Sequence, residues 1–332
     1  MSNIAFPGLG LEFTINRTAF TLFGLNIQWY ALIIVTGIIA ALLYFIRRGT
    51  KTEGLDEDSL LNICILTIPI AIIGARFVYV ITSLDKYDSI WEMFEIWRGG
   101  LAIYGAIIFG FLTVLIYCRK RSIKTLKVLD ALAPAVMIGQ VIGRWGNFVN
   151  AEAYGYSAGV EKLPWRMSVG TVYIDGVAHP EIEFVHPTFL YESLWNLIGF
   201  ILINIFYKHK KRDGQIFYAY IGWYGLGRGL LELLRTDSLR VFGVKAFVVL
   251  GLGSFAASII LMSISMRKAG KESAEIKEYR DAVKSAPVCE ADGQSAAAAD
   301  EEEKECERAA AELTDGCGEK DGEMGEDYGN NT

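Results

Sequence analysis

Gly143–Gly155 reads GRWGNFVNAEAYG and follows directly on an apolar run that starts at Leu129. At helical spacing Arg144, Asn147 and Asn150 or Ala151 share a face, because residues three and four apart are neighbours there. Glu152 falls where such a helix should end. A mid-membrane arginine costs about 2.5–3.5 kcal/mol on insertion scales, while each Leu, Ile, Val or Phe returns about 0.3–0.6. The seven such residues in Ala131–Val149 roughly offset the arginine and leave nothing for Gln140 and Asn147. This stretch needs a protein shell or a polar ligand around it.

Outward from it, apolar residues gather into runs close to the ~20 residues that cross a bilayer. Seven spans are predicted: Ile27–Ile46, Leu60–Ile81, Leu101–Tyr117, Leu129–Val149, Thr188–Tyr207, Ile216–Leu234 and Val244–Met266. The fourth and sixth carry charge and are the weakest by composition. Lysine and arginine in the connections supply an independent test, since they concentrate on the cytoplasmic side. Arg47, Arg48 and Lys51 follow the first span, Arg119, Lys120, Arg121, Lys124 and Lys127 the third, Lys208, Lys210, Lys211 and Arg212 the fifth, and Arg267, Lys268 and Lys271 the seventh. That alternation requires spans four and six to cross. It puts the N-terminus outside and the C-terminus in the cytoplasm.

The expected fold is an all-α polytopic membrane protein of about seven transmembrane helices, with a small extracytoplasmic cap and a disordered acidic C-terminal tail. The membrane domain takes residues 1–268, with the cap at about 151–185, and the tail takes 269–332. In the cap, Thr171–Ile174 and Val177–His179 flank Asp175-Gly176, a dipeptide suited to a type I′ hairpin turn. Ser83–Arg98, with Asp85, Asp88, Glu92, Glu95, Trp91 and Trp97, is expected to lie at the outer interface. The formal charge of −6 averages two dissimilar parts. Lys271–Thr332 holds 19 acidic and 7 basic residues, which leaves 25 basic and 19 acidic in Met1–Gly270. Lys271–Lys284 suits a short surface helix, Ala296–Leu313 a transient one, and the rest disorder. The N-terminus lacks the features of a signal peptide, so the first span is expected to direct insertion. Cys64, Cys118, Cys289, Cys306 and Cys317 show no metal-binding spacing.

Loop charges also give the depth of each polar group within the spans. Arg144, Asn147, Asn150 and Glu152 lie at the outer end of span four, and His186, Tyr191 and Glu192 of HPTFLYE at the outer start of span five. Gly99, Gly100 and Tyr104 of RGGLAIYG open span three, Arg76 is in the outer half of span two, and Tyr30 opens span one. Span six carries Tyr224, Arg228, Glu232 and Arg235, the last three at i, i+4 and i+7. Taken singly, each has a plainer role: a buried ion pair, an interfacial cap or an aromatic belt. Convergence on one depth favours a site. Several arginines at headgroup depth suit a phosphate, which guanidinium binds bidentately. The residues point to a membrane-embedded, outward-facing site for an anionic lipid headgroup.

GRWGNFVNAEAYG resembles the central motif of the prolipoprotein diacylglyceryl transferase family. HPTFLYE, RGGLAIYG, the GAR at Gly74–Arg76 and GRGLLELLR at Gly227–Arg235 follow that family's order and spacing over roughly Phe20–Met266. The resemblance implies a bacterial cell-membrane enzyme that moves diacylglyceryl from phosphatidylglycerol to the lipobox cysteine of a lipoprotein precursor, forming a thioether and releasing glycerol phosphate. By motif it implies functional positions at Tyr30, Tyr104, Arg144, Asn147, Asn150, Glu152, Tyr224, Arg228, Glu232 and Arg235, with Arg76 and His186 as further binding candidates. Arg144 and Arg228 are expected to hold the phosphate, Glu232 to orient Arg228, and Glu152 to orient Arg144 or accept a proton. Some family members have histidine where this chain has Tyr104. That leaves the thiol's base open among Tyr104, Glu152, Glu232 and His186. No cofactor, metal or nucleic acid is implied.

Other readings fit less well. A transporter for an anionic solute would extend polar residues to the cytoplasmic face, yet the inner halves of spans one, three, five and seven are almost wholly apolar. A purely structural protein does not need Arg, Asn, Glu, His and Tyr from five spans at one level. An intramembrane protease lacks an evident Ser–His or Asp–Asp dyad. His179, His186 and His209 are too dispersed for a metal site.

Overall fold

The computed structural model describes residues 2–84, 87, 89–96, 99–156, 159–174, 177–180, 182–235, 240–241 and 244–285. Asp85, Asp88, Trp97, Asp175, Gly176, Ala296–Leu313 and the three cysteines of the tail lie outside these residues. Seven α-helices make the body: α1 Trp29–Lys51, α2 Glu57–Thr82, α3 Ile103–Lys120, α4 Thr125–Asn150, α5 Thr188–Tyr207, α6 Gln215–Glu232 and α7 Ala246–Ser285. All but α6 are long and apolar enough to cross a membrane. Ile39, Leu43, Ile65, Ile73, Ile198 and Ile260 face outward, as bilayer-facing positions do because lipid is as apolar as a core. The molecule is a multi-pass helical membrane protein.

α1 packs along α4, α2 along α3 and α6 along α7, while α4 also meets α3, α5 and α6. Small residues permit the closest approaches. A Cβ on Gly105 of α3 would fall 2.1 Å from the carbonyl oxygen of Gly74 in α2, so the two helices touch by backbone. One on Gly225 of α6 would fall 2.2 Å from Ser254 Oγ and 2.8 Å from the Gly251 carbonyl of α7, which is the small-residue packing of membrane helices. Between α5 and α6 the rings of Trp195 and Trp223 stack at 4.6 Å, and each indole donates to the other residue's carbonyl at 3.0 and 2.9 Å.

Among the described residues, four two-stranded antiparallel hairpins decorate the bundle: β1 Ser2–Phe6 with β2 Leu11–Ile15, β3 Thr18–Leu22 with β4 Leu25–Gln28, β5 Val172–Ile174 with β6 Val177–His179, and β7 Arg240–Val241 with β8 Val244–Lys245. The third matches the hairpin expected from sequence. The first was not foreseen, and it enlarges the cap: Ala5 pairs with Ser168, and Ile4 and Phe6 share a buried cluster with Tyr154, Met167, Val172 and Val185. We call this the cap end.

At the opposite end, Lys210 Nζ lies 2.7 Å from both carboxylate oxygens of Glu53, 2.9 Å from Asp130 and 3.5 Å from Asp213. Asp130 also accepts from the Gly214 and Phe217 amides at 2.7 and 2.8 Å, which caps the start of α6 from a different helix. Three carboxylates this close form a cation site, and the lysine ammonium is its cation. The seventh helix takes in the short surface helix expected at Lys271–Lys284. It runs unbroken from the predicted span through Lys271–Lys284 to Ser285. At ~1.5 Å per residue its 40 residues reach about 60 Å.

Candidate active site

Glu192 is the centre of the polar cluster at the cap end. It stands on the second turn of α5, only 4% exposed, and three guanidinium groups converge on it. Arg144 Nη2 of α4 is 2.6 Å from Oε2, and Arg235 Nη1, just past α6, is 3.0 Å from Oε1. Arg228 Nη1 of α6 is 3.4 Å from the same Oε1 while its Nη2 holds Glu232 at 2.8 Å. A buried carboxylate survives when it is paired and its lone pairs are satisfied. Glu192 meets both conditions by collecting arginines from two other helical segments.

Local backbone geometry completes the cluster. α4 ends at Ala151, left-handed at φ 51°, and Ala153 is left-handed again at φ 56°. For residues with a Cβ that conformation costs about 1–2 kcal/mol each, and the surroundings hold it. Thr188 Oγ1 donates to the Ala153 carbonyl, Gly155 N to the His186 carbonyl at 2.9 Å, and Tyr156 N to the Leu234 carbonyl at 2.6 Å. The double turn brings Glu152 back under the helix end. Its Oε1 accepts from Asn147 Nδ2 at 3.0 Å and Asn150 Nδ2 at 3.3 Å, and Arg144 Nη1 reaches Asn147 Oδ1 at 3.5 Å. Arg144 thus turns to Glu192, and Glu152 is held by the two asparagines.

The remaining candidates fall in three places. The Tyr30 ring packs on Gly146, where a Cβ would sit 2.8 Å from its Cδ2. Tyr104 stacks on Phe247 at 5.6 Å, the ring that Arg228 covers at 4.6 Å, and its hydroxyl is buried without a partner among the described residues. Tyr224 stacks on Tyr220 at 5.9 Å. Two positions lie apart from the arginine cluster. Arg76 spends its guanidinium on the backbone carbonyls of Glu92, Met93, Gly99 and Gly100, at 2.6–3.1 Å. His186 Nδ1 is 3.2 Å from Tyr191 Oη, which also accepts from Trp165 Nε1 at 2.8 Å. Sequence reasoning noted Glu192 in HPTFLYE but gave it no role, and Phe247 had no signal beyond its hydrophobicity.

Tyr30, Arg144 and Asn147 also form the polar end of an open cavity of about 530 Å³ lined by α1, α2, α3 and α4. Its body is apolar and descends along α4 to Leu132. Twelve residues separate Leu132 from Arg144, or ~18 Å of helix, slightly more than half the ~30 Å hydrocarbon core. A charged head over an apolar slot of one-leaflet depth has the form of a phospholipid site.

Fold and site together define a multi-pass membrane protein whose arginine cluster reaches an apolar cavity through Arg144. The family model "Prolipoprotein diacylglyceryl transferase" matches residues 17–264. The phosphatidylglycerol–prolipoprotein diacylglyceryl transferase of Lysinibacillus sphaericus is 41% identical over 266 residues, covering 77% of this chain and 96% of that protein. The enzyme of the same name from Finegoldia magna is 41% identical over 248 residues, covering 74% and 94%. That of Streptococcus pneumoniae is 44% identical over 238 residues, covering 69% and 88%. The chain belongs to the prolipoprotein diacylglyceryl transferase family and is a transferase of lipoprotein biosynthesis. The comparisons give the transporter reading no support.

Proposed function

We propose that the protein, embedded in the bacterial cell membrane with its cap end outside, transfers diacylglyceryl from phosphatidylglycerol to the lipobox cysteine of precursor signal peptides. The observation that supports this reading is that Arg144, at the polar end of the apolar cavity, shares the carboxylate of Glu192 with Arg228 and Arg235. In the reaction the cysteine sulfur bonds to the glycerol carbon that bears the phosphate. The carbon–oxygen bond breaks, its electron pair leaves with glycerol phosphate, and the thiol proton passes to a base. A free thiol is only a few per cent ionised at neutral pH. The leaving phosphate gains charge as the bond breaks, which fixed guanidinium groups stabilise.

Each residue then has a task. Arg144 and Arg228 hold the phosphate, assisted by Arg235, and Glu232 orients Arg228. Asn147, Asn150 and Glu152 form a polar rim that suits the hydroxyls of the glycerol headgroup. Tyr30 and Tyr224 line the approach. Tyr104, whose hydroxyl is unspent, contacts the phosphate or relays the proton, and Glu152, Glu232 and His186 are the other bases within the assignment. Arg76 serves binding indirectly, by fastening the connection between α2 and α3. Residues 1–268 form the catalytic body and 269–332 a cytoplasmic extension.

The test is an assay in liposomes containing phosphatidylglycerol and a peptide with a lipobox cysteine, followed by mass spectrometry. The expected product is the peptide plus one diacylglyceryl unit, absent when that cysteine is serine. Arg144→Ala and Arg228→Ala, purified folded, should each lower transfer by at least a hundredfold. Near-normal transfer in both would sink the assignment.

A further inference from the structure

Below Arg144 the cavity wall is apolar apart from Gln140, Thr67 and Cys64. Gln140 is the strongest hydrogen-bonding group of the three, and most of its capacity is unused. Its Nε2 donates to Tyr220 Oη at 3.1 Å, and its Oε1 is buried without a partner among the described residues. A primary amide has two donors and a twofold acceptor, so a side chain facing an apolar cavity with one bond made is built to receive something. Gln140 lies one helical turn before Arg144 on the same face of α4. That sets it ~6 Å deeper than the phosphate-binding arginine.

If the phosphate rests on Arg144 and the acyl chains fill the slot, the groups lying one turn below the phosphate are the two ester linkages of the lipid. An ester offers acceptors and no donor. The amide meets that need directly, since a half-turn about its last bond gives its oxygen to the Tyr220 hydroxyl and turns both N–H groups to the cavity. The two ends of such an amide are interchangeable by this rotation. We propose that Gln140 is a substrate-binding residue that recognises the ester linkage, its N–H donating to an ester carbonyl of the diacylglyceryl group. This inference rests on the lipid-transfer reading above.

The reacting carbon–oxygen–phosphorus linkage is the same in diester and diether phosphatidylglycerol, and only the carbonyls differ. Transfer from both lipids, matched in chain length, is measured as kcat/KM in liposomes. The wild type should favour the diester about tenfold, the size of one neutral hydrogen bond in a buried setting. Gln140→Leu should reduce the diester rate to the diether rate and leave the latter unchanged, which also shows that the variant folds. Tyr220→Phe, which removes the internal partner alone, should keep the preference. A wild type that treats the two lipids alike, or a Gln140→Leu variant that keeps the full preference, overturns the inference while the transferase reading stands. Should Gln140→Leu be inactive on both lipids, Gln140→Asn, with its amide drawn back by one methylene, supplies the ratio, and an undiminished preference there overturns it. A wild type silent on both lipids sinks the transfer reading and this inference with it.

Discussion

One carboxylate binding three guanidinium groups is a concentrated dependence. Glu192→Ala would leave Arg144, Arg228 and Arg235 short of a counter-ion at a site where all are at least three-quarters buried. Breaking a buried pair costs about 3–5 kcal/mol. The melting temperature in detergent should fall accordingly, with Glu192→Gln intermediate because it keeps the acceptor and loses only the charge. Both should transfer at least tenfold more slowly, and a wild-type melting curve for Glu192→Ala would remove Glu192 from the centre. The pairing of Arg228 with Glu232 was readable in the sequence, since i, i+4 residues are neighbours on a helix. The bond from Arg228 to Glu192 spans 36 residues and two helices. Charge and depth brought both to one level, but nothing in a linear pattern says which arginine a given glutamate will face. Arg76 shows the same limit from another side: its partners are carbonyls, and every residue has one.

The helix without the length and apolarity of a span, α6, holds its place through contacts with other helices. Its glycines let α7 approach closely enough for Phe247 to lie beneath Arg228, and its two charges are paired within the bundle. Gly225→Ala should therefore cost about 1–3 kcal/mol through overpacking against the Gly251 carbonyl. Because Arg228 is the next turn of the same helix, transfer should fall with the melting temperature. A variant as stable and active as wild type would show that α6 and α7 tolerate separation. At this scale most spans were legible because a bilayer demands length and apolarity; of the two that composition left doubtful, α4 has the length and apolarity of a span and α6 does not. Boundaries moved where other rules act. α1 continues to Lys51 and α7 to Ser285, since a helix does not stop at the membrane surface unless something breaks it. The N-terminal hairpins passed unseen, their strands of four or five residues being too short for alternation to stand out against apolar neighbours.

Across the whole molecule α4 is fixed at both ends, by arginine and glutamate at the cap and by Lys210 with Asp130 and Glu53 at the other. Burial alone would lower the Lys210 pKa, but the carboxylates of Asp130 and Glu53 outweigh it and raise it. A raised lysine pKa stabilises the fold fully below the unfolded value of about 10.4 and is lost only as pH climbs through the folded one. Lys210→Ala, which strands two buried carboxylates, should thus melt well below wild type throughout pH 7–9, by about 3–5 kcal/mol. The gap should narrow only in stronger alkali, and a gap that closes by pH 8 would contradict the staple. The cap-end cluster has a different consequence. Arg144, Arg228 and Arg235 are paired with Glu192 and Glu232, and Glu152 adds a third carboxylate beside them on its asparagines, so the formal charges of these six residues cancel. A phosphodiester enters with one negative charge and the severed headgroup carries nearly two. On the proposed reading the glutamates would then compete with the product for the same arginines, and that repulsion would drive the spent headgroup back to water and ready the centre for the next lipid.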